Sequence, residues 1–170
     1  EDALAARTVG EISQSNDTTT YDLTTFAGGL QKTFADAKTY FPNAKLFYIS
    51  NFHIDGNTTG QAQNMTAYFD KAAQLCEKYG IVYINLYGNE ELNTKLESTS
   101  TKYLPDALNP NAAGYDIITP YIQSALEAGI TEGNPGTGDN GVLAAAIVTF
   151  MALGGAVVTG TVIVRRRKED

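Results

Sequence analysis

Gly80-Ile81-Val82-Tyr83-Ile84-Asn85-Leu86-Tyr87 is the stretch that decides the fold: a glycine followed by a β-prone apolar run short enough for one buried strand. Just upstream, Ala62, Met65, Phe69, Ala72, Ala73, Cys76 and Tyr79 recur at helical spacing, and Gly80 stands where a helix C-cap is expected. The same unit occurs once more toward the N-terminus. There Phe26, Leu30, Phe34, Ala37 and Phe41 form a helical stripe that Pro42-Asn43 ends, because proline keeps the residue before it out of helical geometry. Leu46-Phe47-Tyr48-Ile49 follows as a second buried strand. Downstream, a last helix is expected to start at Asn111 as N-cap and to carry Ile117, Ile118, Tyr121, Ile122 and Leu126, with Pro120 kinking or interrupting it. Strands alternating with helices imply an α/β fold with a parallel sheet, whose ligands bind beyond the carboxyl ends of the strands. Two strands are too few for an independent sheet, so further strands are expected upstream.

Composition narrows the function. The chain has 170 residues, room for one domain plus attachments, and a formal charge of -7. Arg165, Arg166, Arg167 and Lys168 hold four of the twelve basic residues, so residues 1–164 carry 8 basic against 17 acidic residues, a charge of -9. An acidic body without a basic stripe repels a phosphate backbone, which argues against nucleic acid as a partner. One cysteine, Cys76, and one histidine, His53, make neither an internal disulfide nor a Cys/His zinc cluster, and no cofactor is expected. The chain opens Glu1-Asp2-Ala3 without a charged n-region or apolar h-region, so an exported protein is expected to carry sequence upstream.

The C-terminal end has its own organisation. No charged residue occurs from Val142 to Val164. As a helix rising ~1.5 Å per residue this segment would extend about 35 Å, enough to cross a bilayer core of ~30 Å. The adjoining basic cluster 165–170 fits a cytoplasmic tail, which places the rest of the chain outside the cell. Residues 129–141 read as a turn-rich linker between a domain at 1–128 and this transmembrane helix at 142–164. Within the linker, Asn134-Pro135-Gly136-Thr137-Gly138, followed by the apolar segment and the basic tail, resembles the tripartite cell-wall sorting signal of Gram-positive surface proteins. Asn134 stands where leucine is usual. The resemblance implies a sortase that cuts between Thr137 and Gly138 and joins Thr137 to peptidoglycan, giving a cell-surface location.

A second resemblance covers residues 10–128. Tyr103-Leu104-Pro105-Asp106-Ala107-Leu108-Asn109-Pro110-Asn111-Ala112-Ala113-Gly114-Tyr115 resembles the last block of SGNH/GDSL hydrolases, Asp-x-x-His-Pro-Asn-x-x-Gly-Tyr. Thr25-Phe26-Ala27-Gly28-Gly29-Leu30, Pro42-Asn43-Ala44-Lys45 and Cys76-Glu77-Lys78-Tyr79-Gly80-Ile81 resemble the segments before it. The resemblance implies the C-terminal part of a flavodoxin-like three-layer α/β/α domain and a serine esterase acting on an ester or carbohydrate-ester substrate. In that family the block's Asp orients a His that takes a proton from the Ser of a Gly-Asp-Ser motif. Here Asp106 holds the Asp position but Asn109 holds the His position, and a carboxamide does not titrate near neutrality.

No Gly-Asp-Ser or Gly-x-Asn-Asp occurs in the chain. His53, just past the strand that ends near Ser50, is the one imidazole that could substitute as base; a lone loop histidine is more often structural. Asp106 also has a bland reading, as a turn residue ahead of Pro110. Two functions are therefore expected to compete: a surface-anchored ester hydrolase with an altered site, and a degenerate domain of the same family kept for binding or adhesion.

Overall fold

The computed structural model describes residues 7–54, 65–97, 101–106, 108–131 and 148–151. The first helix, α1 (Phe26–Tyr40), starts at Thr25, whose hydroxyl accepts from Gly28 N at 3.2 Å, and closes with Phe41 N donating to Ala37 O at 2.9 Å. Its buried face is Ala27, Gly28, Gln31, Phe34 and Ala37, so the stripe is turned from the one expected, and Phe41 is exposed. Before it, residues 7–17 lie across the helices. Phe26 N and Ala27 N donate to Thr8 O and Val9 O, and buried Gln31 exchanges two 2.8 Å hydrogen bonds with the backbone of Ser13.

Strand β1 (Leu46–Ile49) is buried along its whole length. Helix α2 (Met65–Tyr79) follows and buries Met65, Tyr68, Phe69, Ala72, Leu75 and Cys76. Its end is a Schellman motif: Gly80 N donates to Glu77 O, Ile81 N donates to Cys76 O at 2.8 Å, and Gly80 adopts φ +58°. Strand β2 (Val82–Ile84) then pairs parallel with β1, Phe47 opposite Val82 and Ile49 opposite Ile84. It is shorter than the apolar run because Leu86 turns away to start a loop.

A seven-residue helix, α3 (Glu90–Leu96), is not visible in the sequence pattern. Asn89 caps it by accepting from Leu92 N at 2.9 Å, and Glu90 and Glu91 at its start with Lys95 at its end complement the helix dipole. The last helix, α4 (Ala112–Thr131), begins after Asn111, whose side chain accepts from Gly114 N at 2.9 Å, as the cap reading requires. Pro120 does not interrupt it. Ile118 is buried in the core, and Ile117, Tyr121, Ile122 and Leu126 pack against the same cluster, so packing on both sides of the proline outweighs the hydrogen bond it removes. The helix reaches Thr131, three residues into the expected linker.

Strand alternation splits the core in two. Phe47 and Ile49 pack with Leu92, Leu96 and Ile118, while Leu46 and Tyr48 pack with Phe34, Ala37, Ala72 and Leu75. Helices therefore cover both sides of the parallel sheet.

The sheet is completed by β3 (Val148–Met151), giving the order β2-β1-β3, with Leu46 opposite Val148 and Ile49 opposite Met151. This corrects the expectation of a transmembrane helix over 142–164 for the four residues described: they form a strand. Val148, Thr149 and Phe150 have strand propensity, and an apolar run can satisfy its backbone against the edge of β1 as fully as in a helix crossing lipid. Among the described residues no helix is long and apolar enough to cross a membrane. The rest of that segment, the Asn134–Gly138 motif and the basic tail lie outside the described residues.

Candidate functional site

Asp106 and Asn109 meet. One Asp106 oxygen accepts from Leu108 N at 3.0 Å and Asn109 N at 2.6 Å, and the other accepts from Asn109 Nδ2 at 2.7 Å. The Asn109 amide, joined by these two backbone N–H groups, pulls the carboxyl of Asp106 down to about 2. Both residues are exposed. The geometry is a closed turn in which the carboxylate is occupied and its partner is a donor that cannot take up a proton.

The rest of the block is structural in its own right. Asn111 Nδ2 donates to Lys102 O at 2.7 Å and Asn111 N donates to Tyr103 O at 2.9 Å, which ties the preceding loop to the start of α4. A methyl at Gly114 would stand 2.8 Å from Tyr103 O and 3.0 Å from Pro110 Cβ. Pro110, Asn111 and Gly114 thus have reasons to be present that do not involve catalysis.

His53 is held elsewhere. Its backbone N–H donates to Asn93 Oδ1 at 2.8 Å, and its exposed ring meets the Tyr87 ring edge-on at 4.5 Å. The organising residue there is Asn93, 8% exposed, whose Nδ2 lies 2.8 to 3.0 Å from the carbonyls of Leu86, Tyr87 and Asn89. One amide therefore fastens the loop after β1 to the loop after β2. The sequence gives no hint of it, since His53 lies 40 positions away and only the fold brings it to Asn93. Ser50, also buried, adds a second tie by accepting from Tyr87 N at 3.0 Å. Among the described residues no group of three or more His, Cys, Asp or Glu side chains is placed to hold a metal ion.

A cleft of about 750 Å³ opens where β2, α3 and α4 meet. Ile84, Leu86 and Ile117 line it together with Tyr83, Tyr121 and Lys95, and neither Asp106, Asn109 nor His53 does. This cleft is therefore distinct from the residues expected to carry chemistry.

No family model matches the chain, and no curated protein matches it. Among solved structures, the chain is similar to a crystal structure of a protein from Lactobacillus plantarum, with a TM-score of 0.63 and 24% identity over 75% of this chain and 62% of that one. A second crystal structure matches with a TM-score of 0.62 and 22% identity, over 75% of this chain and 60% of the other. The chain spans about three fifths of the length of these structures and shares their fold.

Proposed function

We propose that the chain is the C-terminal part of a flavodoxin-like, three-layer SGNH/GDSL-type domain displayed on a Gram-positive cell surface, and that this domain does not hydrolyse esters. The observation that carries the reading is the Asp106–Asn109 pair. Where the family uses a carboxylate to orient a proton-accepting imidazole, this chain uses it to accept from a carboxamide, which has no proton to gain near pH 7. His53 does not repair the loss, because its contacts run to Asn93 and Tyr87 and not to Asp106. A binding or adhesive role follows for a domain that keeps the block's turn and cap geometry without its base.

The test is hydrolysis of p-nitrophenyl acetate at pH 7 by the full-length protein beside its Asn109→His and Asp106→Ala variants. The full-length protein is expected to show no turnover above its Asp106→Ala variant. Turnover that Asp106→Ala abolishes would overturn the reading, and turnover gained only in Asn109→His would support it strongly.

Display rests on the sorting-like motif Asn134–Gly138, the uncharged segment 142–164 and the basic tail. Val148–Met151 cannot pair with β1 and cross lipid at once, so anchoring requires that this pairing gives way at the membrane. Mass spectrometry of the surface-borne form is expected to find Thr137 as the last residue, linked to peptidoglycan. A mature protein retaining residues 165–170 would replace the sortase reading with a plain membrane anchor.

A further inference from the structure

The cleft between β2, α3 and α4 combines an apolar floor with a rim of mixed hydrogen-bonding groups. Ile84 and Leu86 are buried beneath it, and Ile117 and Ala125 are partly buried along α4. Tyr83 and Tyr121 add two aromatic side chains. Tyr121 is held by a closed triad: Lys95 Nζ donates to Glu91 Oε1 at 2.7 Å and to Tyr121 OH at 2.9 Å, and Tyr121 OH donates to Glu91 Oε1 at 3.0 Å. The Lys95 ammonium also sits 5.3 Å from the Tyr121 ring centroid. A tyrosine whose hydroxyl is held by two partners loses less rotamer freedom when a ligand docks on it. The remaining lining includes Asp116 and Ser124, both exposed and about two turns apart on α4, together with Asn85 and Asn89.

These groups select among ligand classes. An anion would meet Glu91 and Asp116, while the one cation, Lys95, is already paired. A purely apolar ligand would cover the Asp116 carboxylate and the amide nitrogens of Asn85 and Asn89 without offering them a partner. β2 has three residues, too few to give an added peptide strand more than a short ladder. A ligand with an apolar face and hydroxyls that both donate and accept satisfies all of them at once, and the volume lies within the ~300–1,000 Å³ of small-molecule sites. We propose that this cleft binds a neutral carbohydrate, stacking a sugar ring on Tyr121 and taking its hydroxyls on Asp116, Ser124 and Asn85. The proposal deepens the reading of a non-hydrolytic surface domain by naming a ligand class, and it uses none of that reading's residues.

The experiment is titration of the full chain with maltotriose, cellotriose and chitotriose, followed by amide chemical shifts and calorimetry, with a strand-forming peptide as comparator. At least one trisaccharide is expected to give saturable shifts centred on residues 83–86, 91–95 and 116–125. Tyr121→Ala is expected to weaken that binding about tenfold, the worth of one good ring contact. Ser124→Trp, an exchange at an exposed helical position that leaves the core alone, is expected to block it while melting stays unchanged. No saturable shift with any of the three sugars, binding indifferent to both substitutions, or tighter binding of the peptide at the same residues would each overturn the proposal. Ester hydrolysis by the full-length protein with sugar binding intact would sink the earlier reading and leave this one standing.

Discussion

Single side chains decide the chemistry of this domain. Asp106 titrates well below its ordinary 3.8 because Asn109 and two backbone N–H groups favour the charged form. A depressed carboxyl contributes stability above its unfolded value, and that contribution is lost as pH falls from about 4 toward 2. Asn109→Ala is expected to move the Asp106 titration upward toward 3.8, read from its carboxyl carbon shift; an unmoved titration would mean that the backbone donors alone hold it. Asn93 matters to folding as a hydrogen-bonding hub. Asn93→Ala leaves the carbonyls of Leu86, Tyr87 and Asn89 and the N–H of His53 short of a partner, and a loss of about 1–3 kcal/mol is expected in urea unfolding. Gly114→Ala, whose methyl would meet Tyr103 O at 2.8 Å, is expected to cost about 1–3 kcal/mol by overpacking in the same assay. The sequence shows the first of these sites and not the second. Asp106 and Asn109 are three positions apart, whereas Asn93 also holds the N–H of His53, 40 positions away, which only the fold brings to it.

At the scale of elements, periodicity carried both helix–strand units. Leu46–Ile49 and the helices ending at Tyr40 and Tyr79 appear where the apolar spacing and the Pro42 and Gly80 signals put them. Three things escaped that logic. α3 has only Leu92 and Leu96 as apolar anchors, one turn and no stripe. Pro120, a helix breaker by sequence, lies inside a helix that packing on both sides of it preserves. Val148–Met151 sits in an uncharged run that satisfies the criteria of a membrane span, and length with hydropathy cannot distinguish lipid from a strand edge as the place where such a run buries itself. The two destinations separate experimentally. In detergent micelles an anchoring segment is expected to leave the sheet, so amides of β1 that face β3 should exchange faster than in buffer; unchanged protection would make β3 a permanent strand.

For the whole molecule, the response to alkaline pH involves groups that burial keeps neutral. Burial pushes the Cys76 thiol from 9.0 up to about 12, and raises Tyr83 and Tyr21 from 10.0 to about 12, Tyr21 with help from its bond to Tyr79. A raised acid is neutral at no cost below its unfolded value, and stability drains away as pH rises from there toward the folded value. The urea midpoint is therefore expected to fall from about pH 9 upward, and Cys76→Val to make that fall shallower; identical profiles would show that the thiol stays protonated in both states.

Gly129 sets a dimension that the ligand proposal depends on. A methyl there would lie 2.5 Å from the Phe47 ring and 3.3 Å from Val82 Cγ1, so α4 rests directly on the sheet because this residue has no side chain. The helix that rests there also forms one wall of the cleft. Its depth is thus governed from behind, by a residue that no bound molecule touches, and enlarging that residue is a way to widen the groove without altering a single group that lines it.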